Sequence, residues 1–380
     1  MKLIINASNL SGTGVVQVAV SFISECTTIS EHEYYIFISR RVASQLKFEL
    51  FPSNFHFFLI KSHPFYGLHG IMTRRLLRKL EKRINPDVVF TVFGPSYWNP
   101  MNKHKHLIGY AYPHYVYPDS PLFKLISCRE RLYREILKKI HKYFFLRNGS
   151  FYVCETDDVK KRLTAYLPVR SDCIFTVNNT CNHYFFDFVP SDKRMLPQKV
   201  SDEFRFLSLC SPYIHKNLIV LNSLVPILRK RYPLLNLKFV LTIDNLSFDR
   251  MFDSLHVRDY LINIGPINIA DCPQLYSECD AVFLPTLLEC FTANYPEAMF
   301  MGKPILTSNL SFATSICKDA ALYFNPMDVE DILNKIVAVV RDRSLYDSLV
   351  FKGREHFKNF SSPKKRALQY LSICERIMLQ

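Results

Sequence analysis

The sequence predicts an α/β protein of two doubly wound, parallel-sheet domains, and three observations carry that prediction. Short apolar segments of strand length alternate with helical patterns along most of the chain, as they do when crossover helices cover both faces of a parallel sheet. At 380 residues the chain exceeds what one hydrophobic core usually serves. Between the two alternating halves, NNTCNHYFFDFVPSDKRMLPQKVSDEF contains two prolines and little periodicity, which puts the crossover near residues 183–203. The expected division is a first domain over 1–190 and a second over 191–360.

Taken in order, KLIINAS, YYIFIS, DVVFTVFG and HLIGYAY read as strands of the first domain, and FRFLSLCS, LKFVLTI, YLINIG, DAVFLPT and KPILTS as strands of the second. Two helices of the first half are strongly basic. Residues 73–84 set Leu76, Leu77, Leu80 and Ile84 on one side, with Arg74, Arg75, Arg78, Lys79, Lys82 and Arg83 around the rest. In CRERLYREILKKIHKYFFLRN, Leu132, Ile136, Ile140 and Tyr143 recur at helical spacing beside Arg131, Arg134, Lys138, Lys139 and Lys142. Residues 1–150 hold 21 basic against 9 acidic side chains, leaving 27 against 25 for the remainder of a net +14. Such asymmetry points to a polyanionic partner, either nucleic acid or an anionic membrane surface. The alternative for each helix is an ordinary solvated face. No RNP-like or zinc-finger pattern accompanies the charge, which argues against a nucleic-acid module.

Apolar residues make up 48% and charged ones 22%, a globular profile without a disordered tract. The opening MKLIINASNLSG reaches Asn6 too soon for a secretory apolar region, and no later stretch approaches a membrane span. Eleven cysteines without a CxxC pair fit reduced thiols in the core better than a disulfide framework. A cytoplasmic protein is expected.

The segment PTLLECFTANYPEAMFMGKPILTSN, residues 285–309, puts two acids, Glu289 and Glu297, into an otherwise apolar run. Its order is strand, loop, helix, strand: Glu289 falls in the loop, Glu297 in the helix that Gly302 ends, and Pro304 opens the next strand. An isolated glutamate pair at this spacing is usually solvated helix charge. Here the loop lies at the carboxyl end of a parallel strand, where open sheets bind ligands and helix N-termini offer free N–H groups. Backbone N–H groups of Cys290, Phe291, Thr292 and Ala293 suit phosphate oxygens, and a carboxylate beside them suits sugar hydroxyls.

The two glutamates and the AMFMGKPILTSN that follows resemble the donor-site signature of the family 4 retaining glycosyltransferases. HKNLIVLNSLVPILRKRYP is similar to that family's lysine-bearing helix start, YLINIGPINIADCPQLYSECDAVFLPT to its base-binding segment and DAALYFNPMDVEDI to the strand and helix after it. The tail GREHFKNFSSPKKRALQYLSICERI resembles the helix that crosses back to the first domain, and NASNLSGTGVVQVAVSFISE resembles the glycine-bearing first loop. The resemblance implies a GT-B fold, two Rossmann-like domains facing across a cleft, with residues from about 361 to 380 returning to the first.

It also implies roles. Glu297 accepts ribose hydroxyls, Glu289 faces the donor sugar, Lys216 neutralises the diphosphate and His114 contacts the sugar near the reaction centre. Gly12 and Gly14 allow close approach of the first loop, and backbone groups from Gly265 to Asn268 read a uridine or guanosine base. From the residues alone, His114 fits a structural histidine between tyrosines equally well, His104 and His106 read as loop residues, and Asn179 as a turn former. Trp98 and the tyrosines of YAYPHYVYP suit either an acceptor groove or the core.

The implied reaction is retaining transfer of a hexose-type sugar from a UDP- or GDP-sugar to a lipid-linked oligosaccharide in surface polysaccharide assembly, with the protein peripheral on the inner face of the cytoplasmic membrane. No cofactor or metal is expected, since no Asp-x-Asp triplet occurs. Three departures from the family pattern stand out: Ser211 where an arginine is usual, Cys290 and Thr292 where glycines are usual, and PHYVYP without the usual acid. They motivate a second hypothesis, a nucleotide-sugar-binding scaffold with impaired catalysis.

Overall fold

The computed structural model describes residues 1–380 and divides into two compact units. The first comprises 1–118, 126–179 and 361–380, and the second comprises 119–125 and 180–360. The chain leaves the first unit at Asn179, about ten residues before the boundary suggested by composition.

The first unit is a parallel sheet of seven strands: β1 (Lys2–Ala7), β2 (Glu33–Ile38), β3 (Phe55–Leu59), β4 (Val88–Thr91), β5 (His106–Gly109), β6 (Phe151–Cys154) and β7 (Ile174–Thr176), in the order β3-β2-β1-β4-β5-β6-β7. Leu3 pairs with Tyr34 on one side and Val88 on the other, so β1 is central and nearly all of it is buried. β3, β6 and β7 are additions to the strands read from sequence. β7 has only three residues, too short for an alternating pattern to register.

One face of this sheet is covered by helices Thr13–Glu25 and Pro363–Met378, whose Phe22 and Tyr370 meet Phe90 of β4 with ring centroids 5.4 and 5.2 Å away. Arg366 in the last helix is almost completely buried. It donates to the Ser21 hydroxyl at 2.8 Å and to the Asn179 side-chain oxygen. Asn179 therefore anchors the returning helix, a role its turn propensity did not suggest. The other face receives Leu77, Leu80 and Ile84 of helix Gly67–Ile84, packed with Ile4, Phe37, Val89 and Trp98. Glu81 of that helix is buried and accepts from Trp98 Nε1 at 2.7 Å and the Met101 N–H at 3.0 Å. His106 is a sheet residue, fully buried at the start of β5, where its ring meets the Thr91 hydroxyl at 2.9 Å.

The second unit has six parallel strands: β8 (Phe204–Ser208), β9 (Leu237–Leu241), β10 (Leu261–Asn263), β11 (Ala281–Leu284), β12 (Ile305–Ser308) and β13 (Ala321–Phe324), ordered β10-β9-β8-β11-β12-β13. Phe239, Phe206, Phe283 and Phe324 belong to its core, with Phe206 to Phe239 at 5.5 Å and Phe283 to Phe324 at 5.6 Å. Both sheets reverse winding direction between their first and fourth strands, the arrangement of a Rossmann-like unit. In the second unit that switch point lies between β8 and β11.

No helix is long and apolar enough to cross a membrane. All eleven cysteines are free thiols, eight of them buried.

Candidate functional site

Lys216 and Glu289 come from the loops after β8 and β11, the two strands that flank the switch point. Lys216 ends a short 3-10 turn, Ile214–Lys216, and Asn217 after it takes a left-handed conformation (φ 54°) while its side chain donates to the Pro326 carbonyl at 3.1 Å. The turn is tied to the other loop by the Leu287 N–H, which donates to the His215 carbonyl at 2.7 Å. The Ser120 hydroxyl donates to the Leu287 carbonyl at 2.7 Å. These bonds hold Lys216 Nζ against Glu289 Oε1 in a short ion pair, both side chains mostly shielded from solvent, with His215 Nε2 4.0 Å from the same oxygen. Burial works against the lysine's charge. Glu289, with the Cys210 thiol and Tyr213, more than offsets it, so the Lys216 pKa lies above the ordinary lysine value.

Glu297 lies in helix Asn294–Phe300, buried at 3% exposure, and accepts from the Tyr276 hydroxyl at 2.9 Å. Burial pushes its pKa up to about 7, which the Tyr276 hydrogen bond only partly counteracts. Near neutral pH the side chain is divided between acid and carboxylate. It is ready to ionise fully once further donors arrive. Asn294, the first residue of that helix, donates to the Leu209 carbonyl at 2.8 Å and locks the helix to the end of β8. The N–H groups of Phe291, Thr292 and Ala293 find no acceptor within the chain, Ala293 supplies no side-chain cap, and all three residues are partly exposed. At the far end Gly302 has φ 63°, and a Cβ there would lie 2.7 Å from the Arg354 guanidinium.

The chain is similar to known proteins both in sequence and in fold. Residues 194–356 match the sequence profile of the family described as "Glycosyl transferases group 1". The match falls within the second unit. A curated relative, the serotype-specific mannosyltransferase WbdA of Escherichia coli, is 30% identical over 194 residues, covering 48% of this chain and 24% of WbdA. The match thus spans about a quarter of that relative's length. Among solved structures, Anabaena HepE in complex with UDP and glucose superposes with a TM-score of 0.72 at 14% identity, over 99% of this chain and 100% of that one. WaaG, a glycosyltransferase involved in lipopolysaccharide biosynthesis, superposes at 0.69 and 15% identity over 97% and 98%. These likenesses extend over both units and establish the fold, the two Rossmann-like domains expected of GT-B.

Within the second unit the structure brings Lys216 and Glu289 into contact and buries Glu297 beside Tyr276. Gly265 follows β10 at φ 75° with open space around the missing Cβ, a turn that favours glycine. Cys290 is buried in the loop. Ser211 is partly exposed, and its carbonyl accepts from the Tyr213 N–H at 2.8 Å. The remaining expected residues belong to the first unit. Gly12 caps helix Thr13–Glu25 and Gly14 lies in its first turn, neither at positive φ, and no atom approaches within 4 Å of a Cβ built at Gly14. His114 is partly buried in the short helix Pro113–Val116 after β5.

Two contributors escaped the sequence reading. Tyr276 lies in the segment likened to a base-binding stretch, but nothing in its spacing aims it at Glu297. His215 was passed over in favour of its neighbour Lys216. No group of three or more histidine, cysteine, aspartate or glutamate side chains is disposed to hold a metal.

Proposed function

We propose that the protein is a retaining glycosyltransferase that moves a hexose-type sugar from a UDP- or GDP-sugar to a lipid-linked oligosaccharide acceptor in surface polysaccharide assembly. One observation carries the reading: in a unit matched by the group 1 profile, Lys216 and Glu289 meet in loops that flank the switch point of a Rossmann-like sheet, with Glu297 buried in the helix that follows. WaaG is a glycosyltransferase involved in lipopolysaccharide biosynthesis, and a further Escherichia coli relative, 30% identical over 98 residues, is an O-antigen chain mannosyltransferase, which supports the acceptor class.

In the unliganded site Lys216 and Glu289 neutralise each other. A diphosphate carries more charge than one carboxylate and competes for the ammonium, which frees Glu289 to accept hydroxyl hydrogen bonds from the donor sugar. The N–H groups of Phe291 to Ala293 add donors for the phosphates, and Glu297 in its ionised form accepts from the ribose. Charge building on the departing diphosphate is then met by Lys216 and these backbone dipoles, already in position. His114 contacts the sugar near the reaction centre and the first loop, with Gly12 and Gly14, admits the acceptor. The leaving group is stabilised by protein groups without a required metal, and the basic helices hold the enzyme on an anionic membrane.

The test is a donor screen. UDP- and GDP-sugars are compared by thermal shift and nucleoside diphosphate release, and the anomeric configuration of the product is read by NMR. A stabilising nucleotide that Glu297→Ala no longer binds, with release dependent on acceptor, is expected. An inverted product would overturn the retaining assignment. Ser211, Cys290 and Thr292 favour a second reading, a scaffold that binds nucleotide sugar without turnover, and stabilisation with no release under any acceptor would select it.

A further inference from the structure

The first unit carries a cavity lined by none of the residues given a role in the proposed transfer. It has a volume of about 320 Å³ and is lined by helix Gly67–Ile84, helix Cys128–Asn148 and the loop after β4. Arg74, Arg75, Arg78 and Arg147 surround it, and no carboxylate is among its lining side chains. Two of them bond to neutral groups: Arg74 to the Pro64 carbonyl at 3.1 Å, Arg147 to Asn99 Oδ1 at 3.4 Å and the Tyr143 hydroxyl at 3.2 Å. The nearby acid on the same helix, Glu81, has both oxygens occupied by Trp98 and Met101.

The floor is rigid. Trp98 and Tyr97 are buried, and Tyr97 is held at φ 70°, a left-handed conformation costly for a residue with a Cβ. Asn9 braces this loop by donating to the carbonyls of Phe93 at 2.9 Å and Pro95 at 3.2 Å, which ties the cavity wall to the carboxyl end of β1. Around the arginines, folding leaves apolar side chains uncovered: Leu68, Ile71 and Met72 on one helix, Ile136, Ile140 and Tyr143 on the other. Arg78 alone of the four acts electrostatically on Glu81, and guanidinium groups converging on a cavity with no carboxylate in its lining call for a phosphate-type anion. Exposed apolar residues on both flanking helices call for a hydrocarbon phase.

We infer that this cavity binds the phosphate-bearing headgroup of a membrane lipid, with the exposed apolar side chains of the two helices resting against the acyl region. The inference rests on the reading of the protein as a surface-bound transferase and deepens it. It replaces a diffuse attraction by a defined site.

The experiment measures binding of the full chain to phosphatidylcholine vesicles with and without phosphatidylglycerol. Arg75→Gln/Arg78→Gln alters two exposed cavity arginines, and Lys79→Gln/Lys82→Gln removes the same charge from the same helix outside the cavity. The expected result is about a tenfold or greater loss of affinity for anionic vesicles in the arginine variant, a clearly smaller loss in the lysine variant, and unchanged thermal unfolding in both. Equal losses would reduce the site to general attraction and overturn the inference. So would arginine-dependent binding of inorganic pyrophosphate in solution as tight as that of vesicles, or displacement of vesicles by single-stranded RNA. Nucleoside diphosphate stabilisation of the arginine variant separates the two readings. If it persists while vesicle binding ignores the arginines, the headgroup site fails and the transferase stands. If wild-type protein binds vesicles through the arginines but no nucleotide, the reverse holds.

Discussion

The two units share a winding order yet treat charge in opposite ways. In the second unit the site cations and acids meet one another: Lys216 on Glu289, buried Arg205 on buried Glu203, Lys199 on Asp280. In the first unit, four arginines surround a cavity without a carboxylate among its lining side chains, and the bonds made by Arg74 and Arg147 go to carbonyl, amide and hydroxyl groups. The lesson is that one winding order can close a cation onto an acid within a site and elsewhere gather arginines around a cavity that no carboxylate lines.

Breaking the neutral pair is the sharpest test of that contrast. Lys216→Met should lower kcat by roughly a hundredfold to a thousandfold, since a preorganised group facing developing charge is removed. It also strands Glu289, so Lys216→Met/Glu289→Gln should recover stability in thermal unfolding without recovering turnover. Glu297→Gln comes next. Hydrogen bonds to an ionised acceptor contribute about 1.5–3 kcal/mol each, so nucleoside diphosphate affinity by calorimetry should fall about tenfold to a hundredfold.

Arg366→Met probes the first unit alone. It removes the charged donor that Arg366 supplies to Ser21 and Asn179 and should destabilise that unit by about 2–3 kcal/mol. Trp98, the only tryptophan, reports on this unit's unfolding by fluorescence in urea. An effect on nucleotide binding in place of that fluorescence transition would contradict the assignment of the last helix.

Proton linkage gives an effect spread over several pH units, with a definite sign. Glu297 is raised from 4.5 to about 7, so the folded, unliganded protein holds a proton there that the unfolded chain has released. The stability this contributes is complete below about pH 4.5 and is lost as pH rises through 7, a change of about 3 kcal/mol. A ribose that donates to the carboxylate prefers the ionised form. Nucleotide affinity should therefore drop by up to about tenfold per pH unit below 7, and Glu297→Gln should abolish that dependence.

Much of this was legible in the sequence, for physical reasons. Strands buried on both faces read as unbroken apolar runs, so β1, β8, β11 and β12 stood out, whereas β7 is only three residues long and carries no pattern. Glu289, Glu297 and Gly302 were legible because acids in an apolar segment and a glycine at a helix end have few explanations. The Lys216 to Glu289 contact was not, since it joins loops after two different strands. Nor was the arginine cavity: periodicity marks both helices as basic and amphipathic but says nothing of which arginines converge. His106 misled because a histidine among lysines looks solvated until the strand after it is seen to begin there.

The helix Pro363–Met378 completes the core of a unit whose other strands and helices all precede residue 180. During synthesis, the first half therefore waits, its Phe22 and Phe90 surface uncovered, until almost two hundred further residues have been added. A ribosome that stalls after the second unit has emerged would release a chain able to mature at one end and open to chaperones or proteases at the other.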